Sequence, residues 1–406
     1  MYDCIVIGKG LIGCAAAKYL AEAGQKVVLI GPGEPADLQQ GVVFASHYDQ
    51  ARIQRIIGKD VTWTLLNKES VEVYPSLQKE SGVNFHSPVG CLYVNPHGKD
   101  LYLDHVNDLS EKFQTEYKFF ENGKSLNKAF PEFNFPESSM AILEDNPSGY
   151  INPRLLVEAQ INLFKKNKGI LIDEVAEQLI HRAGSIEVIT NEGNTFIAKR
   201  ILIAAGSFTN SFNLLDKKLS FKLKSESTIW ARVSEHEAMR LVKLPSLLYE
   251  IDTPEIQNIY LIQPVQYPNG KFYCKMGANI PQDMYFDRLE EMQQWFRVAD
   301  NSNNLEVLKT ALQNLIPELE AQEFATKKCI ITRTVHEKPY VGALEKKGLF
   351  VAAGGNGYGA MCSDALGRIA AHLVVHESFA PGYDEKDFLP IFESNVNSYP
   401  KTEFFL

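Results

Sequence analysis

The most constraining feature of the sequence is a glycine-rich turn between an apolar strand and a helix. It reads Gly8-Lys9-Gly10-Leu11-Ile12-Gly13, which has the spacing G-x-G-x-x-G. Without side chains, Gly8 permits a tight turn, Gly10 lets the backbone approach a pyrophosphate, and Gly13 lets the helix pack closely on the strand. The helix N-terminus then presents free N–H groups to phosphate. We expect a βαβ unit with strands 2–7 and 26–30 around helix 11–24, and a dinucleotide site rather than a merely structural turn.

The next turn bears on which dinucleotide is bound. In KVVLIGPGEP, Gly31 occupies the position where an acid normally accepts hydrogen bonds from a ribose. Glu34 follows three residues later, and either a turn through Gly31-Pro32-Gly33 brings its carboxylate back to the ribose or Glu34 is a solvated loop acid. An NAD site depends on this one acid more than an FAD site does, because FAD is held along its length by several segments. The missing acid therefore counts more against NAD than against FAD.

Composition excludes several classes of partner. The 406 residues are 45% hydrophobic and carry a net charge of -9 without blocks of like charge, so nucleic acid and anionic membranes are not expected partners. No apolar run approaches the roughly 18 residues of a membrane span, and Met1 stands directly before the first strand, so we expect a cytoplasmic protein. Six cysteines without CxxC spacing argue against a zinc site, a redox dithiol or a disulfide framework.

Strand and helix signals alternate along the chain, without repeats or long linkers. INPRLLVEAQINLFKKNKG predicts a helix, the β-rich segments ILIDEVAEQLI, IEVITNEG and FIAKRILIAAG follow it, and Pro268-Asn269-Gly270 predicts a hairpin. EEMQQWFRVA and LEVLKTALQNLI predict helices, and GLFVAAG predicts a strand that runs into a turn and a helix.

The fold class predicted is α/β (α+β overall), in which a Rossmann-like FAD-binding domain is interleaved with an antiparallel-sheet substrate domain. We expect residues 1–85, 142–215 and 325–380 to form the FAD-binding domain, and 86–141 and 216–324 the substrate domain. Residues 381–406 are a C-terminal tail that docks on its own domain or on a partner.

Four segments resemble one family in the same order. FASHYDQARIQRI, SGYINPRLL, AKRILIAAGSFTN and GLFVAAGGNGYGA are similar to motifs of the FAD-dependent amine and amino-acid oxidases, which include D-amino acid oxidase, glycine oxidase and monomeric sarcosine oxidase. Other flavoprotein classes fit less well: the Gly-Asp motif of hydroxybenzoate-type monooxygenases is absent, and the paired cysteines and second nucleotide unit of disulfide reductases are missing. The resemblance implies cofactor contacts at Ser46, His47, Arg52, Val175, Ala205, Gly206, Gly355, Asn356, Gly357, Tyr358, Gly359 and Met361.

Arg52 and Arg55 share one face if YDQARIQRI is helical. They form either a solvated basic face or, as the resemblance implies, a cationic region near the flavin and substrate. A positive charge beside the isoalloxazine would stabilise the anionic reduced flavin.

The stretch KKCIITRTVHEKPYVG carries two further candidates. Cys329 lies where sarcosine-oxidase-like proteins attach the flavin covalently, and is otherwise a strand cysteine. Arg333 lies where a glycine-oxidase-like protein clamps the substrate carboxylate, and is otherwise a surface strand residue.

Three more positions complete the hypothesis. The resemblance implies that Lys275 activates dioxygen over the flavin, although a strand lysine is usually solvated. Tyr260 and Tyr358 are candidate pocket aromatics, although Tyr260 also suits packing in the sheet. Met361 and Asn279 replace a lysine and a histidine of the sarcosine-oxidase pattern, which disfavours N-methylglycine as substrate.

The sequence thus predicts a flavoenzyme that oxidises a small amino acid or amine to an imine, with dioxygen as acceptor and hydrogen peroxide as product. Nearby cations would lower the pKa of the substrate amine, so no side-chain base is required. The alternatives are a dehydrogenase that uses a quinone or protein acceptor, and a non-catalytic flavin-binding subunit.

Overall fold

The βαβ unit at the start of the chain lies at the centre of a mixed α/β architecture. The computed structural model describes residues 1–251, 253–298 and 302–398. The helices are α1 (Leu11–Glu22), α2 (Val61–Ser81), α3 (Leu101–Phe113), α4 (Gly123–Ala129), α5 (Pro153–Lys166), α6 (Glu235–Leu241), α7 (Leu289–Arg297), α8 (Ser302–Leu315) and α9 (Ser363–His376). The strands are β1 (Tyr2–Ile7), β2 (Val27–Ile30), β3 (Arg52–Gln54), β4 (His86–Ser87), β5 (Cys91–Asn95), β6 (Lys118–Phe120), β7 (Met140–Glu144), β8 (Gly149–Ile151), β9 (Ile170–Ile172), β10 (Ala176–Arg182), β11 (Ser185–Thr190), β12 (Thr195–Ile203), β13 (Phe221–Val233), β14 (Ser246–Tyr249), β15 (Asn258–Gln266), β16 (Phe272–Asn279), β17 (Tyr285–Phe286), β18 (Ala321–Thr334), β19 (Tyr340–Ala343) and β20 (Leu349–Ala353).

The first sheet has a parallel centre in the order β20, β12, β1, β2 and β9, and β10 and β11 extend it as an antiparallel meander. Its central strands are apolar and buried on both faces, as parallel strands between covering layers must be. Helix α1 packs against α5 and α9 on one side. The predicted βαβ unit is confirmed, and its element ends lie within two residues of those expected.

The second sheet has the order β18, β13, β16, β15, β14, β5, β7 and β6, with β17 on the end of β13. Its strands are antiparallel except for the pair β14 and β5. The predicted hairpin is β15 and β16, and Gly270 at its turn has a φ of +76°. Alternate residues of β13, such as Ile229 and Ala231, pack in the apolar core with α8. The other face of the sheet is directed at a cavity, and the predicted mixed fold class is confirmed.

The segment YDQARIQRI is not a helix, so the condition under which Arg52 and Arg55 would share a helical face is not met. Residues Arg52–Gln54 form β3, which pairs with β8 so that Ile53 lies opposite Tyr150. Ile53 is buried at this pairing. Strand pairing brings both backbone hydrogen bonds and burial of a β-branched side chain, which one isolated helical turn does not offer. Arg52 and Arg55 therefore do not share a helical face.

The division into domains stays a proposal. Two of the expected boundaries, 141/142 and 324/325, fall inside β7 and β18, which are continuous strands of the second sheet. We would therefore move both boundaries to strand ends. In the tail, Phe388 and Ile391 are buried against the rest of the chain, which agrees with docking on its own domain as far as residue 398. Residues 399–406 lie outside the described residues.

Candidate active site

A cavity of about 880 Å³ opens between the two large sheets. The glycine turn, loop 204–207 and β13, β15 and β18 all contribute to its walls, together with the segment 43–55 and the loop 354–361. The two sheets and the loops that join them thus meet at one site.

The glycine turn is shaped as a phosphate cradle. Gly8 has a φ of +117°, and a Cβ there would lie 2.2 Å from the carbonyl oxygen of Ala204. A Cβ at Gly13 would lie 1.9 Å from the carbonyl oxygen of Gly8, so the helix can approach the strand only with glycine. A Cβ at Gly10 would meet nothing within 4 Å. Gly10 lines the cavity, so the space beside it is available to a pyrophosphate.

Gly31 is required by packing. A Cβ at this position would lie 2.6 Å from the backbone nitrogen of Lys9, so an acid has no room there. Glu34 lines the cavity instead, and Arg154 donates from both terminal nitrogens to its carboxylate, at 2.7 Å for Nη2 to Oε1. Arg154 belongs to the GYINPR segment. The ion pair holds Glu34 at the cavity, and its contact with a ribose stays a prediction.

The loop after β20 is fixed to β18 by Asn356. The backbone N–H of Thr334 donates to Asn356 Oδ1 at 2.8 Å, and Asn356 Nδ2 donates to the carbonyl oxygen of Gly354 at 2.7 Å. Asn356 itself has a φ of +51° and Gly357 a φ of +85°. The fixed loop lines the cavity with backbone from Gly354 to Met361, as a flavin-binding loop requires.

Asp49, in the segment 43–55, is the centre of a buried cluster of charged groups. Lys275 Nζ donates to Asp49 Oδ2 at 2.7 Å, Tyr267 donates its hydroxyl to Oδ1 at 2.8 Å, and Arg52 forms an ion pair with Oδ2. Arg52 and Asp49 line the cavity, whereas Lys275 does not. Arg52 is therefore the cation of this cluster that faces the cavity.

Lys275 is only 1% exposed. Its Nζ also donates to the carbonyl oxygen of Ala51. Burial lowers the pKa of the Lys275 ammonium well below its usual range, and the Arg52 guanidinium adds to that, whereas Cys329 and Glu226 act in the opposite direction. The alternative of a solvated strand lysine is thus excluded, and the action of Lys275 on the flavin stays a prediction.

Among the described residues, Arg55 is the one strongly buried cation of the cavity wall that has unpaired hydrogen-bond donors. It is 5% exposed, and its Nε and Nη1 have no hydrogen-bond partner. Its guanidinium lies 4.8 Å from the ring centroid of Tyr102, and it interacts electrostatically with Tyr358. An unpaired buried donor costs about 1–3 kcal/mol, so this site is suited to an anionic ligand.

The strand pair β13 and β18 forms the opposite wall. Cys329 lies directly across from Glu226, and Arg333 lies four residues further along β18 on the same face. The ring of Tyr260 covers Gly277, where a Cβ would lie 2.2 Å from Tyr260 Cε1. Tyr260 therefore packs on the sheet and also lines the cavity, so the two interpretations of this residue do not exclude each other.

His47 does not line the cavity. Its ring lies 4.7 Å from that of Tyr48 in an edge-to-face arrangement. Burial lowers the pKa of His47 to about 4, and Lys9 and Arg52 act in the same direction. The imidazole is therefore neutral at pH 7, and a direct cofactor contact stays a prediction.

Most of the expected site residues do meet at one cavity. Those that line it are Gly8, Gly10, Leu11, Ile12, Glu34, Ser46, Arg52, Val175, Ala205, Gly206, Tyr260, Cys329, Arg333, Gly355, Asn356, Gly357, Tyr358, Gly359 and Met361. Gly13, His47 and Lys275 lie behind the wall, although Gly13 has the packing function expected of it.

Three residues of the site were missed or assigned no function from the sequence: Asp49, Arg154 and Glu226. Two of them stand in segments that were singled out for other residues. Glu226 carries a different signal, because KLKSESTIWARV places Lys224 and Glu226 at alternate positions and thus on one face of a strand. Charges that recur on the face of a central strand are unusual and indicate a functional wall.

The glycine cradle, the buried arginine and the fixed C-terminal loop together define a flavin-dinucleotide oxidoreductase. The match to known proteins agrees with this class. Residues 3–373 match the model of the FAD dependent oxidoreductase family, and the chain belongs to that family. It is an FAD-dependent oxidoreductase of the amine and amino-acid oxidase kind.

Individual relatives are distant in sequence but similar in length and fold. Monomeric sarcosine oxidase from Bacillus sp. (strain B-0618) is 23% identical over 388 residues, which cover 92% of each chain. NikD, an amino acid oxidase essential for nikkomycin biosynthesis, covers 97% of this chain and 98% of its own with a TM-score of 0.75 and 19% identity. Glycine oxidase from Geobacillus kaustophilus covers 96% of this chain and 98% of its own, with a TM-score of 0.72 and 17% identity.

Among the described residues, no helix is long and apolar enough to cross a bilayer. No group of three or more histidine, cysteine, aspartate or glutamate side chains in this part of the chain is arranged to hold a metal ion.

Proposed function

We propose that this enzyme oxidises the C–N bond of a small amino acid or secondary amine to an imine, with dioxygen as electron acceptor and hydrogen peroxide as product. The observation that carries the proposal is Arg55, a cavity-lining residue that is 5% exposed and whose guanidinium is only partly hydrogen-bonded. A carboxylate is a natural ligand for such a group, because its two oxygens match the fork of a guanidinium. An amino acid therefore suits the site better than a simple amine.

Arg333 is the second candidate for the carboxylate, and the sequence favours it. It lines the same cavity from β18, on the face that carries Cys329. Arg55 follows β3 and Arg333 lies on β18. A carboxylate bound to one of them would orient the substrate differently from a carboxylate bound to the other. The identity of the anchor is thus a question for substitution.

The cavity residues have separate tasks in this proposal. FAD, when bound, accepts the hydride from the carbon that bears the nitrogen. Arg52 faces the cavity and stabilises negative charge there. Tyr260 and Tyr358 bound the space for the substrate, and the aromatic wall excludes water from the reacting carbon.

One observation favours the dehydrogenase as a second candidate function. A cation that activates dioxygen must act where negative charge develops, but Lys275 lies behind Arg52 and is paired with Asp49. Arg52 can supply that charge instead. The choice of acceptor is therefore open to a direct kinetic test.

The function is tested by mixing the purified protein, without oxygen, with glycine, D- and L-alanine, D- and L-proline and N-methylglycine. At least one should bleach the flavin absorbance. Oxygenated buffer should then restore the colour within seconds and release one hydrogen peroxide per turnover. Bleaching that is reversed by a quinone but not by oxygen would favour the dehydrogenase, and no bleaching by any of them would contradict the proposal.

The anchor is identified with Arg55→Ala and Arg333→Ala. Losing one member of a desolvated charge pair costs about 2–5 kcal/mol, so the true anchor should lose at least roughly thirtyfold in kcat/KM for the amino acid. The amine that lacks the carboxylate should be nearly unaffected. Arg→Lys at the same position should restore only part of the activity. If neither variant distinguishes acid from amine, the substrate carries no carboxylate.

A further inference from the structure

Glu226 is a buried acid of the cavity wall to which no function has yet been given. It lies on β13, is 4% exposed and lines the cavity. The β13–β18 register places it opposite Cys329, with Arg333 four residues further along the neighbouring strand. Side chains at these positions share one face of the sheet. Glu226 and Arg333 therefore act on the same part of the cavity.

The charge of Glu226 is only partly balanced. Lys224 Nζ donates to Glu226 Oε2 at 3.1 Å, but the same ammonium also bonds Asp283. Asp283 is further held by the hydroxyl of Ser225 at 3.3 Å and the backbone N–H of Ile280 at 3.1 Å. One cation thus serves two carboxylates, and Glu226 has the weaker set of donors.

Groups on nearby strands also act on Glu226. Arg333 on β18 favours its ionised form, whereas Asp283 opposes it. Lys275 on β16 and Tyr260 on β15 interact electrostatically with the same carboxyl. Burial is the largest influence, and it raises the pKa of Glu226 to about 7. A group with this pKa exchanges protons readily at neutral pH.

The other acids of the cavity wall are committed elsewhere or are remote. Arg154 bonds the carboxylate of Glu34, and Asp49 is bonded by Lys275, Arg52 and Tyr267. Glu250 follows β14 and lies beside Tyr93, on the part of the sheet away from β18. Glu226 is therefore the acid best able to accept a donor from a ligand near Arg333.

The spacing fits one end of an amino acid. Four residues of strand separate the two positions by roughly 14 Å. Side chains stand roughly perpendicular to a sheet, so the two end groups lie between roughly 3 Å apart, if both extend toward each other, and roughly 14 Å apart. An α-amino acid held at both ends needs about 9 Å between these groups, because about 3 Å separates its carboxylate from its nitrogen and each hydrogen bond adds about 2.8 Å.

We propose that Glu226 is a catalytic residue that binds the ammonium of the substrate and accepts one of its protons. This rests on the proposed function and takes Arg333, rather than Arg55, as the anchor of the substrate carboxylate. The N–H bond breaks, its electron pair stays on nitrogen, and an O–H bond forms at the Glu226 carboxylate. The neutral amine can then release hydride from its carbon, and Glu226 returns its proton to solvent after the product leaves. The sequence alone suggested that no base was required.

The test measures the rate of anaerobic flavin reduction at saturating amino acid between pH 5.5 and 10, with the panel member that bleaches fastest. Glu226 and the substrate amine titrate as a pair, and reduction begins when the pair loses its first proton. In Glu226→Gln the substrate ammonium must lose its proton without an acceptor. We expect the acid limb of the profile to move up by at least one pH unit, with at least a tenfold loss of rate at pH 7 and less than a threefold loss at pH 10.

Two further variants keep the test decisive. Lys224→Met removes the cation that stabilises the ionised acid, so its acid limb should also move to higher pH. Glu250→Gln makes the same chemical change at another acid of the wall. The acid limb of its pH profile should coincide with that of the wild type. FAD content is measured for each, so that loss of cofactor is recognised.

The outcomes separate the two proposals. An unchanged limb in both Glu226→Gln and Lys224→Met, or an equal loss of rate at every pH, would show that Glu226 only supports the wall and would overturn its assignment alone. No bleaching of the wild-type flavin by any of the amino acids would overturn the proposed function, and the assignment of Glu226 with it.

Discussion

Charge at single residues determines how the cavity can act. Arg52 faces the cavity from the Asp49 cluster, and Lys275 supports it from behind. Arg55 keeps unused donors and Glu226 keeps an unbalanced charge. Both features are costly for folding, because buried polar groups without full compensation destabilise the native state. Such costs are typical of functional sites.

The contribution of Lys275 to reoxidation is tested with Lys275→Met, which removes the charge and keeps similar bulk. If the ammonium stabilises superoxide as it forms, the reduced enzyme should react with dioxygen at least tenfold more slowly, which corresponds to about 1.4 kcal/mol or more. The rate is measured by stopped-flow absorbance. Tyr267→Phe removes only a neutral hydrogen bond to Asp49 and should change the rate little. An unchanged rate in Lys275→Met would leave Arg52 as the acting cation.

Cys329 lines the cavity, so covalent attachment of the flavin stays a prediction that can be tested. Acid precipitation of the protein should leave the yellow colour in the pellet, and Cys329→Ser should release it to the supernatant. Cys274→Ala alters a buried thiol on the other face of the sheet and should retain the colour. Free flavin from the unmodified protein would show that Cys329 is an ordinary strand residue.

At the scale of elements, the glycine turn combines two tasks that different glycines perform. Gly13 allows α1 to approach β1, whereas Gly10 leaves room for a ligand. The same motif therefore contains one position that serves the fold and one that serves the cofactor.

Substitution should separate these tasks. Gly10→Ala places a methyl group in open space, so the apoprotein should keep its melting temperature but contain little FAD. Gly13→Ala forces a methyl group against the Gly8 carbonyl and should destabilise the apoprotein by about 1–3 kcal/mol, the usual cost of overpacking. Thermal melts and the ratio of flavin to protein absorbance measure both effects. Equal loss of stability in the two variants would contradict this division.

At the scale of the whole molecule, the cavity joins the two large sheets. FAD in this position would contact both, and a ligand that binds only the folded state stabilises it. The adenosine end would contact the first sheet through the glycine turn, and the flavin end would contact β18.

This arrangement predicts that FAD stabilises the whole chain. In Cys329→Ser stripped of flavin, FAD at 100 times its Kd should add about 2.7 kcal/mol to the free energy of unfolding. For a chain of this length that raises Tm by roughly 3 °C. FMN lacks the adenosine end, so it should raise Tm much less at the same concentration. Equal shifts for FMN and FAD would contradict the use of the glycine turn.

The sequence alone determined the parts that depend on local pattern. The glycine spacing and the apolar runs on either side predicted β1, α1 and β2, because the G-x-G-x-x-G turn requires both a strand and a helix. The hairpin at Gly270 and α5, α7, α8 and α9 followed from periodicity and turn chemistry. The ordered resemblance of four segments then indicated the family.

Tertiary structure decided what depends on contacts between distant segments. β3 became a strand because β8, about one hundred residues later in the chain, pairs with it. The carboxylate of Asp49 pairs with Lys275 only when positions 226 residues apart in the sequence are brought together. Arg55 is left with unused donors, and Glu226 comes to share one lysine with Asp283, because of the way the sheets pack. Local sequence determines the propensity of a segment for helix or strand. Burial and charge compensation depend on which distant residues pack together, so only the tertiary structure shows which side chains are buried and how their charges are balanced.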